Sequence, residues 1–386
     1  MGDGMNGIDW TASVTDIYKK IADTLEDAKK SMGTVNLLVT GKTGSGKSTL
    51  INAVFRKEMA RAGIGMPITQ AAKLYEDPDL PLRIYDTKGV ELGEDAQKAI
   101  MEEIQQLIKV TWKSGDEDQF VHAIWYCVNS GTNRVEEKEL EWINSLCSMG
   151  EAGVPVIVVI TQAFRKNVAN KLAETIHQEL AGKPYYHGCF TVLAAPDEED
   201  PESHPSFGLN DLVEATFRVI PDQKQAAFIN AQGVNIEVKS QAARKYLQGY
   251  IGSSFLTGLA PLPGSDAPLL ITNEIAMCTH ITTIFGIDLD KGLISTIVTA
   301  LIGVSAATVA GKTVVSGILK LIPGAGTLLG GIVSGMTAAT LTGALGEVYI
   351  TVLEQIAKGQ LKKENLDSDA FKAQLREMMK AHMERG

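Results

Sequence analysis

Cysteine is scarce in this chain and never paired in its spacing: Cys127, Cys147, Cys189 and Cys278 are the four among 386 residues. That excludes the disulfide framework of small secreted scaffolds, and no two of the four have zinc-ligand spacing. Free thiols of this kind suit a reducing cytosol. Basic charge is also short, with 36 Lys and Arg against 46 Asp and Glu and a formal charge of −10. With no cationic surplus to neutralise phosphates, nucleic acid is not expected as a partner. The six histidines lie far apart, so none is read as a metal ligand. The first residues lack a basic-then-apolar leader, and a cytoplasmic location is expected.

What is present begins with Gly41-Lys42-Thr43-Gly44-Ser45-Gly46-Lys47-Ser48, a glycine, four residues, then Gly-Lys-Ser. This is the phosphate-binding loop pattern, and it points to a nucleoside triphosphate with Mg²⁺. Glycines let successive backbone N–H groups curl around phosphate oxygens, and the following helix turns its positive end to the same anion. Lys47 is placed to reach the β and γ phosphates, Ser48 to ligate Mg²⁺, and Thr49 to follow on the helix. Context supports the motif. The apolar, β-branched run 35–40 precedes it, and a breaker-free helical pattern from Ser48 to Arg56 follows. A second Gly311-Lys312-Thr313 fails the pattern, because Ala306 stands where its first glycine belongs.

The length favours two domains over one. Ahead of the loop, Trp10, Val14, Ile17, Ile21, Leu25 and Ala28 recur at helical intervals, an amphipathic helix needing a surface to dock on. Candidate strands at 35–40, 82–86, 122–128, 155–161 and 188–193 alternate with candidate helices at 96–112, 135–147, 167–180 and 209–219. That order predicts an α/β domain with a mainly parallel sheet and helices on both faces. From 223 to 250 the pattern is one long helical stretch. Charge then vanishes over 292–311 and 321–346, where Gly326/Gly330 and Gly331/Gly335 are spaced for close helix contact. A charged stretch at 367–385 reads as a solvated helix. The expected divisions are 1–33, an N-terminal amphipathic helix; 34–221, the phosphate-binding domain; 222–365, an all-α, Gly/Ala-rich domain; and 366–386, a charged C-terminal helix.

A triphosphatase switch needs a second acid for magnesium and a backbone that senses the γ-phosphate. Leu82-Arg83-Ile84-Tyr85-Asp86-Thr87-Lys88-Gly89 supplies both, one strand after the loop. Asp86 is expected on Mg²⁺, usually through water, and the Gly89 N–H on the γ-phosphate. In the loop between, Thr69 is the candidate that completes magnesium coordination. The distance from Lys47 to Asp86 is too short for an ABC-type ATPase, and no LSGGQ-like signature occurs.

On these residues the region 35–195 resembles the GTPase domain of the Era, septin and immunity-related group of P-loop GTPases, in the TRAFAC class. The segment Ile124-Trp125-Tyr126-Cys127-Val128-Asn129, with Arg134 and Glu137, is similar to bacterial members. Those are often followed by a helical domain of unknown function, and Pro261-Leu262-Pro263-Gly264-Ser265-Asp266-Ala267 and Ile284-Phe285-Gly286 resemble its pattern. The resemblance implies GTP and GDP as ligands and hydrolysis of GTP, with Lys47, Thr69 and Gly89 in catalytic roles. It implies Ser48, Thr69 and Asp86 around Mg²⁺. It places Thr161, Gln162 and Ala194 beside the base.

Two departures follow. Where the group carries Asn/Thr-Lys-x-Asp to read guanine, this chain has Thr161-Gln162-Ala163-Phe164. Phe164 cannot accept the guanine N1 and N2 hydrogen bonds, each worth about 1–3 kcal/mol when a buried donor is left unpaired. Asp197 or Glu198 is a candidate replacement, so GTP is favoured by resemblance rather than by residue chemistry. Second, Val90 follows Gly89, with no glutamine to orient water, and slow intrinsic turnover is expected, helped by dimerisation, a partner or a switch group. The alternative reading is an ATP- or dual-nucleotide-binding scaffold whose nucleotide drives assembly. Nucleotide-dependent homodimers or oligomers, and membrane contact through 292–346, peripheral or inserting, are further expectations.

Overall fold

The computed structural model describes residues 10–55, 66–67, 72–87, 94–132, 134–196, 200–259, 266–287, 294, 297, 335–366 and 368–383. The chain divides into two compact units, Met32–Val238 and a second made of Met1–Ser31 with Lys239–Gly386.

The first unit is built on a seven-stranded sheet in the order β2-β3-β4-β1-β5-β6-β7. The strands are β1 (Val35–Gly41), β2 (Met66–Pro67), β3 (Ala72–Glu76), β4 (Leu82–Thr87), β5 (Ala123–Asn129), β6 (Val156–Thr161) and β7 (Tyr186–Thr191). From β4 to β7 all neighbours pair parallel, whereas β3 runs antiparallel to β4 and β2 to β3. The near-continuous apolar runs arise because both faces are covered. Side chains alternate across β5, sending Ala123, Trp125 and Cys127 to one core and Ile124, Tyr126 and Val128 to the other. The first core packs α2 (Lys47–Val54), α6 (Leu209–Val219) and α7 (Asp222–Ala231), and the second packs α3 (Glu94–Lys113), α4 (Glu137–Leu146) and α5 (Lys166–Leu180). Trp125, fully buried, stacks on Phe55 at 5.9 Å and donates its indole N–H to Thr216 Oγ1 at 2.9 Å.

The expected parallel sheet with helices on both faces is therefore the fold. The short antiparallel β3 was not anticipated, although Ala72–Glu76 precedes the turn signal Asp77-Pro78-Asp79. The single helix expected over 223–250 is a correction. The structure breaks it into α7 and α8 (Ile236–Leu259). Gln232 is completely buried in the break, where its Oε1 accepts the Val234 and Asn235 N–H groups, both at 2.8 Å, and its Nε2 donates to Asn235 O at 2.9 Å. Asn235 Oδ1 then accepts the Val238 N–H at 3.0 Å, three residues on, as an N-cap does. The Gly233 N–H donates at 2.8 Å to Val54 O, where α2 ends. Helical propensity was overridden by side-chain satisfaction of the backbone.

In the second unit, α1 (Trp10–Met32) buries Ile21, Thr24 and Ala28. Asp27 on α1 acts electrostatically on His280 of α9 (Asp266–Phe285). The remaining described helices are α10 (Gly335–Ala357) and α11 (Asp369–Met383). Across α9 and α10, the buried Thr282 Oγ1 and Tyr349 OH are 2.6 Å apart. The expectation of a solvated last helix is corrected too. Phe371, Leu375 and Met379, four residues apart, are buried, so α11 presents a packed apolar stripe behind its charges. Among the described residues no helix is long and apolar enough to cross a membrane. Most of 292–346, including Gly326, Gly330 and Gly331, lies outside the described residues. All four cysteines are free thiols.

Candidate functional site

The C-terminal ends of β1, β4, β5 and β6 converge on one edge of the sheet, where ligands bind in open α/β folds. Gly41 closes β1 at φ 138°, and a Cβ there would lie 2.2 Å from the Cys127 carbonyl oxygen. Gly46 stands before α2 at φ 77°. These two positions admit glycine for steric reasons, and they bend the loop so that the first N–H groups of α2 point outward, unpaired by the helix.

Lys47 is 8% exposed, and its ammonium donates to Gly41 O at 3.0 Å and Lys42 O at 3.1 Å. Burial depresses its pKa, opposed chiefly by the Asp86 carboxylate. Burial in turn raises the pKa of Asp86, opposed by Lys47 and Lys73. A cleft of about 440 Å³ is lined by residues 43–49 of the loop with Lys73, Asp86, Thr87 and Gln162. Thr87 donates to or accepts from Thr40 at 2.9 Å between hydroxyls, tying β4 to β1 below the cleft.

Two buried oxygens in this region, Ser45 Oγ and Asp86 Oδ1, have no protein partner. Mg²⁺ takes hard oxygen ligands, and the Ser48 hydroxyl with the orphaned Asp86 carboxylate oxygen are such a set. The residues present fit that ion. Thr69 and Gly89, the other expected switch positions, lie outside the described residues, as do Asp197 and Glu198.

Lys42 had been grouped with the loop on the motif alone. Its ammonium forms ion pairs at 3.0 Å with Glu136 and with the buried Glu139 of α4. Burial pulls the Lys42 pKa down, and the two carboxylates more than reverse it. Glu139 also hydrogen-bonds Tyr126 on β5, so the loop is anchored to α4 and the sheet. This clamp was not legible, because nothing in the motif says where Lys42 turns.

Separate segments meet on the Gln162 side of the cleft. Thr161 Oγ1 lies 2.6 Å from Ser45 O and 3.1 Å from Val128 O. Gln162 adopts φ 52°, unusual for a residue with a Cβ, and its Nε2 donates to Gly44 O at 2.6 Å. Ser130 Oγ donates to Gln162 O at 2.6 Å, and Asn129 Nδ2 approaches Gly44 O at 3.4 Å. Thr161 and Gln162 thus brace the phosphate loop from the side. Phe164 is 42% exposed with the His204 ring edge-on at 6.2 Å. Ala194 follows Leu193, which bridges to Phe207. Asn129, Ser130 and Lys73 were missed by sequence reasoning. A strand-end position following a buried run is the signal that marks the first two.

Comparison with known proteins matches residues 36–162 to the family described as "50S ribosome-binding GTPase" and residues 224–379 to "Domain of unknown function (DUF697)". GTPase Era of Ureaplasma urealyticum is 30% identical over 142 residues, covering 36% of this chain and 43% of that protein. Magnetosome membrane protein 22 of Magnetospirillum gryphiswaldense is 26% identical over 131 residues, covering 34% of this chain and 65% of that protein. The chain therefore spans less than two thirds of the length of the curated relatives it matches. A solved structure of a probable GTP-binding protein engB covers 48% of this chain and 98% of its own, at 18% identity and TM-score 0.33.

Proposed function

We infer from the matches to a GTPase family and to DUF697 that this chain is an Era-like TRAFAC P-loop GTPase, a slow GTP-hydrolysing switch. Lys47 holds the β and γ phosphates. Ser48, Thr69 and Asp86 would hold Mg²⁺, which would offset phosphate charge when bound. The Gly89 N–H meets the γ-phosphate and registers its loss. Thr161 and Gln162 keep the loop in place at the base end, with Ala194 beside the base. In the reaction a water oxygen bonds to the γ-phosphorus and the bond to the β–γ bridging oxygen breaks, its electron pair leaving with GDP. Val90 offers no side chain to orient that water, which supports a low intrinsic rate.

The observation that carries the reading is the buried Lys47 and the Asp86 carboxyl, which act on each other electrostatically and line one cleft with a glycine loop that leads into a helix N-terminus. Competing a fluorescent GTP analogue with GTP, ATP and their diphosphates in Mg²⁺ tests it. Displacement by GTP and GDP but weakly by ATP is expected, and equal displacement by ATP overturns the guanine assignment.

The helical unit is proposed as the output, contacting a partner or a membrane surface or driving homo-oligomers, on a protein working in the cytoplasm. The charge-free stretches 292–311 and 321–346 and the name of the magnetosome relative support the membrane side of this reading. Carbonate extraction against salt wash distinguishes insertion from peripheral binding, and light scattering with GTP, GDP or no nucleotide tests assembly.

A further inference from the structure

The cleft holds a second lysine that no motif assigns. Lys73 lies on the antiparallel strand β3, and its register partner on β4 is Asp86. Directly opposed residues of an antiparallel pair project their side chains to the same face, about 4.5–5.5 Å apart at Cβ. Both accordingly line the cleft, together with Lys47 and Ser48. Lys73 acts on the Asp86 carboxyl electrostatically, yet no ion pair joins them within 4.0 Å, and Asp86 Oδ1 has no hydrogen-bond partner. Among the described residues the Lys73 ammonium has no ion pair at all. Lys47, by contrast, is already bonded to two carbonyls of its own loop.

The cleft thus carries an exposed cation with no described anionic partner, four residues after Thr69 in sequence and across one strand pair from the magnesium acid. MgGTP brings a net charge of about −2, which Lys47 alone halves. We propose that Lys73 is a catalytic residue that contacts the γ-phosphate oxygens of bound triphosphate, a cation supplied by this chain to its own reaction. The inference rests on the GTPase reading above. Lys73 keeps its protons throughout and donates hydrogen bonds to the γ oxygens as the attacking water's oxygen bonds to phosphorus. The bridging-oxygen bond breaks toward GDP, and the water's proton leaves on the released phosphate. Cations in this role raise kcat by about 10³–10⁵ where they have been removed and restored. It also makes the cleft selective for triphosphate, because GDP has no group to meet Lys73.

The test compares the wild-type chain with Lys73→Met and Lys73→Arg by single-turnover GTP hydrolysis, by titration with GDP and a non-hydrolysable GTP analogue, and by trapping of GDP with aluminium fluoride. Lys73→Met is expected to slow hydrolysis at least tenfold, weaken the triphosphate analogue about tenfold, leave GDP affinity within twofold and lose the fluoride complex. Lys73→Arg retains most of each. Unchanged GDP affinity also certifies that Lys73→Met is folded. Hydrolysis at the wild-type rate, or equal loss of GDP and triphosphate affinity, overturns the inference, the second outcome assigning Lys73 to support of Asp86. A wild-type chain without magnesium-dependent GTP turnover overturns the GTPase reading itself.

Discussion

The glycine-loop end of the cleft and the proposed base end are made by different means. The phosphate end is one contiguous octapeptide whose shape follows from glycines at forced backbone angles and from backbone N–H groups that no side chain has to supply. The proposed base end is a convergence of Asn129–Ser130 after β5 and Thr161–Gln162 after β6, and side chains hold it together. The difference teaches that phosphate binding is encoded locally and tolerates divergence around it. On the proposed reading base choice is distributed, so that a single position such as Phe164 would change it.

The comparison breaks first at Lys47. Lys47→Ala removes the buried charge, and a loss of roughly a thousandfold in affinity, about 4 kcal/mol, is expected for GTP, GDP and ATP alike in fluorescence titration. A loss confined to one base would show that the two ends are not separable. The second test bears on the sheet that carries both ends. His122, at the start of β5, accepts the Asn36 N–H at Nδ1 (2.8 Å) and lies 3.0 Å from Glu117 O at Nε2. Burial pushes its pKa down to about 4 from the model-compound value of 6.5. Because the folded value is the lower one, the unfolded chain binds more protons between the two. The contribution of His122 to stability is therefore full above pH 6.5 and declines as pH falls toward 4, by up to about 3 kcal/mol. Denaturant titrations from pH 7.5 to 4.5 of the wild-type chain and of His122→Gln should differ by that slope.

Sharpening the base end calls for smaller effects. Phe164→Asp restores an acceptor for the guanine N1 and N2 donors and should raise the GTP-to-ATP affinity ratio about tenfold, the consequence of roughly 1–3 kcal/mol per rescued donor. An unchanged ratio would place base reading elsewhere, in the loop beyond Ala194. Gln162→Ala removes the 2.6 Å brace on Gly44 O. It should weaken every nucleotide by only about fivefold, about 1 kcal/mol, without altering the ratio.

How much could be read beforehand follows the same divide. Strands β1, β5 and β6 were legible because burial on both faces writes continuous apolar runs, and the place of Lys47, Ser48 and Asp86 in one cleft because the loop motif and the strand after it mark them. β3 was not, since an edge-side strand of five residues with two exposed positions leaves little pattern. Nor was the brace from Gln162, which depends on a backbone angle that residue type alone disfavours. The break between α7 and α8 carried a local signal in Gly233 and Asn235. What fixes it is burial of Gln232 against a bridge partner, Phe55, remote in sequence. On α11 the period of Phe371, Leu375 and Met379 was present but masked by the charges around it.

One geometry has a mechanical side. Helix α2 begins at Lys47 and ends at Val54, whose carbonyl holds Gly233 in the turn from which the chain passes into α8. Eight residues at about 1.5 Å each make a strut some 12 Å long. Hydrogen-bonded helices resist compression along their axis, so such a strut does not absorb a push. An axial displacement of the Lys47 end would therefore reach the Gly233 peptide, three residues before α8 begins.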